Sequence, residues 1–253
     1  MKTLVKSEVH RLDDAARLFA KGAELFQHAA EESVRDRGAF SVALAGGSTP
    51  KGMYSLMADD RNLRAAIPWP HVDFFWSDER HVPADHPDSN YRMAHEAMLS
   101  KVPVPPERVH RVRAENPDAA AVAAQYEDDV RALVPTGDGI PRLDLVLLGM
   151  GADGHTASLF PGTPALSEQA RLVTANWVER LHVNRITMTL PLINAARLVM
   201  ILIAGADKAE RVREALQPTE SGPPLPVQLV RPSNGRLVWL LDRGAASLLD
   251  SRR

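Results

Sequence analysis

The stretch DLVLLGMGADGHTASLFPG, residues 144–162, places a histidine on a glycine-rich loop directly after an apolar run. Free imidazole titrates close to neutral pH, so His155 has the chemistry of a general acid and base. Asp153, two residues earlier, stands where a carboxylate could orient the imidazole ring. The alternative is that His155 merely caps a short helix over residues 156–160, and the sequence leaves both interpretations open.

The glycines of this loop also suggest a dinucleotide-binding turn. Gly149, Gly151 and Gly154 satisfy the G-x-G-x-x-G spacing after a predicted strand. Such a turn leads directly into a long helix, whereas Pro161 and Gly162 interrupt the chain soon after the last glycine. The sequence therefore argues against dinucleotide binding at this loop.

A second glycine-rich loop, GGSTP at residues 46–50, follows another predicted strand. Gly46 and Gly47 let the backbone approach a ligand, and Ser48 or Thr49 can cap the helix that follows. Pro50 suits the first turn of that helix, whose free N–H groups attract anions. The alternative is an ordinary tight turn with a helix cap. The spacing does not match a Walker A loop.

Charged side chains crowd a third strand end, WSDERHV at residues 76–82. Arg80 carries a planar guanidinium that can hold a phosphate through two hydrogen bonds, and Asp78 and Glu79 could orient it. The alternative is a solvated charged loop. Three nearby residues, His81, Asp85 and His86, are of types that bind metals. Their spacing matches no helical pair of metal ligands, so we expect no metal there.

A fourth strand end, AGADKAERV at residues 204–212, carries Lys208 in the first turn of a predicted helix. A cation there opposes the helix dipole unless an anion lies nearby, which favours a phosphate contact; the alternative is an exposed surface lysine. Arg185, which opens RITMTL, is a secondary candidate cation. No G-x-S-x-G segment is present, so the sequence does not favour a covalent acyl-enzyme.

The elements that position these loops alternate between strands and helices. Apolar, β-branched segments predict strands at residues 3–9, 40–46, 71–76, 143–149, 185–190, 198–205 and 236–241. Amphipathic patterns predict helices at about residues 13–35, 89–99, 118–133 and 206–216. This order predicts an α/β fold with a mainly parallel sheet flanked by helices. Because ligands bind at the carboxyl ends of such strands, we expect the four loops to meet in one cleft.

The composition fits a single domain spanning residues 1–253. A net charge of -2 with mixed signs argues against nucleic acid as a partner, and the absence of cysteines excludes disulfides and thiolate chemistry. The longest apolar run is too short for a membrane helix, and the first residues carry charge throughout. We therefore expect a cytoplasmic protein without a membrane partner, and by default a monomer.

Taken together, five stretches resemble the 6-phosphogluconolactonase family in order and spacing: ALAGGSTP, FFWSDERHVPADHPDSNYRMAHEAML, LLGMGADGHTASLFPGTPAL, RITMTLPLIN and ILIAGADKAERV. The resemblance covers about residues 40–239. It implies hydrolysis of 6-phospho-D-glucono-1,5-lactone without a cofactor, with a sugar phosphate lactone as the small-molecule partner. It also implies a Rossmann-like sheet related to glucosamine-6-phosphate deaminase and ribose-5-phosphate isomerase.

The resemblance also assigns roles to residues. It makes His155 the catalytic acid and base and associates Arg80 and Lys208 with the substrate phosphate. The GGSTP loop lines the same pocket, where we also place Gly151. The related deaminases usually continue the shared GxDGH motif with IAFNEP and carry DEY in place of DER. The TASLFP segment and Arg80 of this chain therefore favour the lactonase, while a deaminase or a non-catalytic sugar-phosphate sensor stays an alternative.

Overall fold

The computed structural model describes residues 7–218 and 222–250. The strands are β1 (Ser7–Leu12), β2 (Phe40–Leu44), β3 (Val72–Trp76), β4 (Asp78–Arg80), β5 (Thr136–Gly137), β6 (Ile140–Pro141), β7 (Leu145–Leu148), β8 (Val173–Val178), β9 (Val183–Met188), β10 (Leu198–Ile203) and β11 (Arg236–Asp242). The α-helices are α1 (Ala15–Arg37), α2 (Ser48–Asp59), α3 (Arg61–Ala66), α4 (Asn90–Ala97), α5 (Ala119–Leu133), α6 (Pro164–Ser167), α7 (Leu190–Ala195) and α8 (Ala209–Leu216). Short 3-10 helices cover Trp69–His71, Leu99–Lys101, Pro106–Arg108, Glu179–Leu181, Ala206–Lys208 and Pro226–Leu229.

A six-stranded sheet forms the centre of the fold, in the order β1-β11-β10-β7-β2-β3. Every neighbouring pair in it is parallel. All residues of β2, β7 and β10 are buried, as expected for apolar strands with helices on both faces. The predicted fold class, an α/β fold with a mainly parallel sheet flanked by helices, is confirmed.

Helix α1 lies within two residues of the helix predicted at about residues 13–35. The side chain of Asp14 accepts a hydrogen bond from the backbone N–H of Arg17, which caps the helix. Gly38, at a φ of 82°, ends it in the left-handed conformation that glycine adopts at low cost. The helix packs on α2, β2 and β11. Of the first predicted strand, residues 3–6 lie outside the described ranges and the rest belongs to β1.

A smaller antiparallel sheet, β4-β9-β8, stands beside the parallel one. Of the predicted strand at residues 185–190, residues 185–188 belong to this second sheet as part of β9, whereas Leu190 begins α7. Neither β4 nor β8 is predicted by the apolar pattern. Ser77 is the point where the chain passes between the sheets. Its backbone N–H donates to Leu44 O at 2.8 Å, and its own carbonyl accepts from Met188 N at 2.9 Å. The charged residues after Ser77 therefore form an edge strand rather than a loop.

The alternative of a short helix over residues 156–160 is wrong. These residues form turns, and Ala157 has a φ of 47°, which an α-helix does not allow. None of the helices within residues 7–218 and 222–250 combines the length and apolarity needed to cross a membrane.

Glu127 on α5 attaches that helix to the second sheet. Its carboxylate accepts hydrogen bonds from Arg131 Nη2 at 2.8 Å and Arg171 Nε at 2.9 Å, and from the backbone N–H groups of Leu172 and Val173. Burial acts to raise the pKa of Glu127, but these hydrogen bonds outweigh it and hold the pKa below its ordinary value.

We expect Glu127→Gln to lower the free energy of unfolding at pH 7 by about 2–3 kcal/mol, since an amide nitrogen cannot accept these hydrogen bonds. Because the folded-state pKa is lowered, the advantage of the wild type is fully present above the unfolded pKa of about 4.3. This advantage disappears as the pH falls through the pKa of Glu127 in the folded protein. Urea denaturation of both proteins from pH 7 to pH 3 measures this, and a pH-independent difference would contradict it.

Candidate active site

A cavity of about 400 Å³ opens at the carboxyl ends of β2, β7 and β10, beside β4 and β9. This volume lies in the usual range for small-molecule sites. The predicted residues that line the cavity are Gly46, Gly47, Ser48, Thr49, Asp78, Arg80, Gly151, His155, Arg185 and Lys208. The four strand-end loops thus meet in one cleft, although they are far apart in the chain. Asp153 is not among the lining residues and contacts His155 instead.

The glycines of the histidine loop, after β7, make space for the imidazole of His155. A Cβ on Gly151 would lie 2.0 Å from His155 Cε1, so only glycine fits below the ring. Gly154 has a φ of 80°, and its carbonyl accepts from Val227 N at 3.1 Å. Arg211 Nε donates to Ala152 O at 3.1 Å and fixes the loop from α8. These glycines therefore serve the histidine rather than a dinucleotide turn.

The imidazole of His155 has a defined hydrogen-bond partner. Its Nδ1 contacts Asp153 Oδ1, which also accepts from the backbone N–H of His155 at 3.2 Å. Burial acts to raise the pKa of Asp153, but the hydrogen bond and charge of His155, with the charge of Arg180, hold that pKa below its ordinary value. An ionised Asp153 accepts a hydrogen bond from Nδ1–H, so Nε2 is left as the nitrogen that can take a proton.

Two arginines face each other across neighbouring strands at the cavity wall. Arg80 on β4 pairs with Arg185 on β9 in the antiparallel register. Like charges directly opposite each other destabilise a sheet. Arg80 Nη1 donates to Asp88 O at 2.6 Å, and neither guanidinium forms an ion pair with a carboxylate in the described part of the chain. This pair therefore places two positive charges at the cavity wall without a direct ion pair to a carboxylate among residues 7–218 and 222–250.

Arg185 is the more exceptional of the two arginines. Its Nε and Nη1 are buried and have no hydrogen-bond acceptor among residues 7–218 and 222–250. Burial lowers the pKa of Arg185, and the nearby charge of Arg80 lowers it further. Unsatisfied buried donors are rare and costly in native proteins, so a partner from outside the chain is expected. An anion with several oxygens, such as phosphate, fits these donors.

Buried polar groups below the arginines hold the cavity floor in place. Asp78 Oδ2 accepts from Ser158 Oγ at 2.6 Å, and Asn90 Nδ2 donates to Asp78 O at 2.9 Å. A Cβ on Gly46 would lie 2.0 Å from Asn90 Oδ1, so the glycine loop packs directly on this amide. Asp78 therefore ties three loops together below the arginines.

Glu79 fixes the strand that carries Arg80. Its carboxylate is buried and accepts from the backbone N–H groups of Arg80 at 2.8 Å, Asn90 at 2.7 Å and Tyr91 at 2.8 Å. Burial raises the pKa of Glu79, although these hydrogen bonds oppose the change. The carboxylate thus joins β4 to the first turn of α4, where it faces the helix dipole favourably.

The GGSTP loop and Lys208 complete the cavity wall. Gly47 adopts a φ of 100° and precedes α2, whose first turn holds Ser48 and Thr49. Within residues 7–218 and 222–250 the N–H groups of Ser48 and Thr49 have no hydrogen-bond acceptor. Lys208 ends the 3-10 turn before α8, and its Nζ lies 3.4 Å from Asp207 Oδ2. Both features can meet an anionic ligand.

Several site residues are not identified by the sequence analysis. Asn90 is the first residue of α4 and the second of the helix predicted at residues 89–99, a position that favours a helix-end contact. Ser158 and Phe160 lie within the quoted histidine loop. Arg180 carries no such signal, since its contact with Asp153 spans 27 residues. His81 Nε2 lies 2.7 Å from Asn116 O, and His86 Nδ1 accepts from Asp88 N, so these two imidazoles bond to separate partners.

Comparisons with known proteins identify the family of this chain. The sequence model of the family "Glucosamine-6-phosphate isomerases/6-phosphogluconolactonase" matches residues 13–239. A 6-phosphogluconolactonase from Nostoc sp. (strain PCC 7120) is 39% identical over 97% of this chain and 99% of its own length. The structure of 6-phosphogluconolactonase from Trypanosoma cruzi has a TM-score of 0.84 and 31% identity, covering 98% of both chains.

The fold extends to a more distant relative. A monomeric glucosamine-6-phosphate deaminase superimposes with a TM-score of 0.76 at 21% identity, covering 95% of this chain and 99% of that one, which shows a shared fold alone. The match of the family model over most of the sequence, and full-length relatives well above 30% identity, settle the family. This chain belongs to the glucosamine-6-phosphate isomerase/6-phosphogluconolactonase family.

Proposed function

We propose that this protein is a carboxylic ester hydrolase that converts 6-phospho-D-glucono-1,5-lactone into 6-phospho-D-gluconate, the second step of the oxidative pentose phosphate pathway. The observation that carries the proposal is the cavity itself. An imidazole oriented by a carboxylate and two arginines without carboxylate partners line the same space. The imidazole suits proton transfer at an ester, and the arginines suit the phosphate of the substrate. Relatives named 6-phosphogluconolactonase support the choice of lactone.

The first step is the attack of water on the lactone carbonyl. His155 Nε2 accepts a proton from the water while the water oxygen bonds to carbon 1 of the lactone. The electron pair of the carbonyl double bond moves to the carbonyl oxygen. Asp153 receives the Nδ1 hydrogen bond and stabilises the imidazolium that forms. The N–H groups of Ser48 and Thr49 are the donors we assign to the oxyanion, because they line the cavity without an acceptor.

The second step breaks the ring ester. The oxyanion collapses, the bond between carbon 1 and the ring oxygen breaks, and the imidazolium Nε2 returns its proton to that oxygen. The product is a carboxylic acid, which ionises and releases one proton to solvent. Each step uses water and side chains of this chain, so the reaction requires no cofactor.

The phosphate fixes the substrate at a distance from the reacting carbon. Arg80, Arg185 and Lys208 are the cations that we assign to it, since all three line the cavity. Hydrogen bonds between charged groups contribute about 1.5–3 kcal/mol each. Binding energy from this remote group positions carbon 1 against His155, so a lactone without phosphate should lose turnover as well as affinity.

The test is acid release from freshly prepared 6-phosphogluconolactone in a pH-stat, with spontaneous ring opening subtracted. We expect opening well above the spontaneous rate and no ammonia release from glucosamine 6-phosphate. Opening at the spontaneous rate would refute the hydrolase proposal. Ammonia release would assign the chain to the deaminase branch, and lactone binding without turnover would identify a sensor.

A further inference from the structure

Arg180 lies outside the motifs that point to the active site, yet it contacts two residues that touch His155. Its Nη2 donates to Asp153 Oδ2 at 2.5 Å, on the carboxylate oxygen that His155 does not use. Its guanidinium carbon stands 5.1 Å from the centre of the Phe160 ring. The Phe160 ring in turn packs on the imidazole, with the ring centres 4.2 Å apart. The four side chains form a closed cycle of contacts around His155.

Each contact in this cycle limits a different movement. Asp153 fixes the rotation of the imidazole through Nδ1, and Phe160 covers one face of the ring. Arg180 holds both, because it binds the free oxygen of the carboxylate and lies over the aromatic ring. Asp153 without Arg180 would keep one oxygen unpaired and could rotate away from Nδ1. Orientation of this kind by an outer partner is what sets the tautomer of a histidine.

Arg180 differs from the arginines of the cavity wall. It is not among the cavity-lining residues, and its side chain is 56% exposed. It belongs to the 3-10 turn Glu179–Leu181 between β8 and β9, whereas Arg80 and Arg185 lie within paired strands. The charged groups in and around the cavity also include Asp78, Asp207 and Lys208, and none of these contacts Asp153.

We propose that Arg180 is a positioning residue, which clamps Asp153 and Phe160 so that the imidazole of His155 presents Nε2 to the lactone carbonyl. This inference rests on the proposed lactonase function. Arg180 acts through Asp153 and Phe160 and does not touch the substrate. Its loss therefore affects the proton transfer steps and leaves phosphate recognition unchanged.

The experiment compares Arg180→Met and Arg180→Lys with a matched control, Arg243→Met. Arg243 also pairs with an aspartate, Asp13, at 3.0 Å, but both side chains are highly exposed and neither residue lines the cavity. We expect Arg180→Met to lower kcat about tenfold with KM within about twofold, as for outer partners of a functional histidine. The loss should be equal on phosphorylated and unphosphorylated gluconolactone. Arg243→Met should behave as the wild type.

The pH profile separates positioning from a structural role. Removing the cation leaves the charge of Asp153 uncompensated, which favours protonated imidazole, so the acid limb of kcat/KM should move up by a few tenths of a pH unit. Arg180→Lys keeps the charge, so it should return the acid limb of kcat/KM to its wild-type position and bring kcat to within about threefold of the wild type. Unchanged kinetics in Arg180→Met, or a rise in KM confined to the phosphorylated lactone, would overturn the proposal.

A measurement without substrate keeps this test independent of the lactonase assignment. Nitrogen-15 NMR of the free protein reports which imidazole nitrogen of His155 carries the proton. We expect the Nδ1–H form in the wild type and in Arg243→Met, and a mixture of both tautomers in Arg180→Met. The same single tautomer in all three proteins would overturn the positioning role. A wild type that opens no lactone would overturn the proposed function alone.

Discussion

Replacing His155 by alanine is expected to lower kcat for 6-phosphogluconolactone about 10²–10⁴-fold, the usual contribution of general acid–base catalysis. We assign the imidazole as the group that takes the proton from water and returns it to the ring oxygen, so both steps should lose their proton carrier. The KM should change little, because the cations that we assign to the phosphate lie on other segments of the cavity wall. Steady-state kinetics with the spontaneous rate subtracted measures the effect.

The fold should tolerate this change. His155 is half-buried in an open cavity, so thermal unfolding of His155→Ala is expected to stay within a few degrees of the wild type. His28→Ala on the exposed face of α1 is the control for loss of a histidine as such. Asp153→Asn should also reduce kcat, since an amide no longer stabilises the imidazolium. A His155→Ala enzyme with near-normal kcat would end the acid–base assignment.

Replacing Arg185 by methionine is expected to change activity and stability in opposite directions. The variant loses charge-assisted hydrogen bonds to phosphate, so kcat/KM for the phosphorylated lactone should fall about 10–150-fold. Unphosphorylated gluconolactone should be opened at nearly the wild-type rate. The ligand-free variant should be more stable by about 1 kcal/mol, because two unsatisfied buried donors and the repulsion from Arg80 are removed.

Thermal unfolding with and without inorganic phosphate tests this trade-off directly. Phosphate should raise the Tm of the wild type and have a smaller effect on Arg185→Met. Arg243→Met, which replaces an exposed arginine that does not line the cavity, is the matched control and should respond to phosphate as the wild type does. Equal losses on both lactones, or a destabilised ligand-free variant, would show that Arg185 has a structural role instead of binding phosphate.

The pairing of Arg185 with Arg80 gives Arg185 a larger proposed role than the sequence analysis assigns to it. Arg185 is only a secondary candidate in the sequence, since it opens a strand and follows no glycine loop. The antiparallel register places it opposite Arg80, and burial leaves its donors unpaired. Lys208, by contrast, already lies near Asp207, so part of its charge is compensated. Strand register between residues far apart in the chain cannot be derived from local patterns.

The sequence by itself determines the α/β layering and the loops that carry the chemistry. Continuous apolar strands such as β7 and β10 are buried on both faces, and polar residues that follow them must lie at the carboxyl edge of the sheet. These are local signals, because side-chain period and turn chemistry depend on neighbouring residues. For that reason His155, Arg80 and the GGSTP loop can be placed at one edge before any coordinates are known.

Only the tertiary structure decides which side chains meet there. The second sheet turns the charged segment after Ser77 into an edge strand, and it places Arg185 beside Arg80. It also carries Arg180 back to Asp153. These contacts join segments separated by many residues, and their geometry follows from strand register and packing, which no single stretch of sequence specifies.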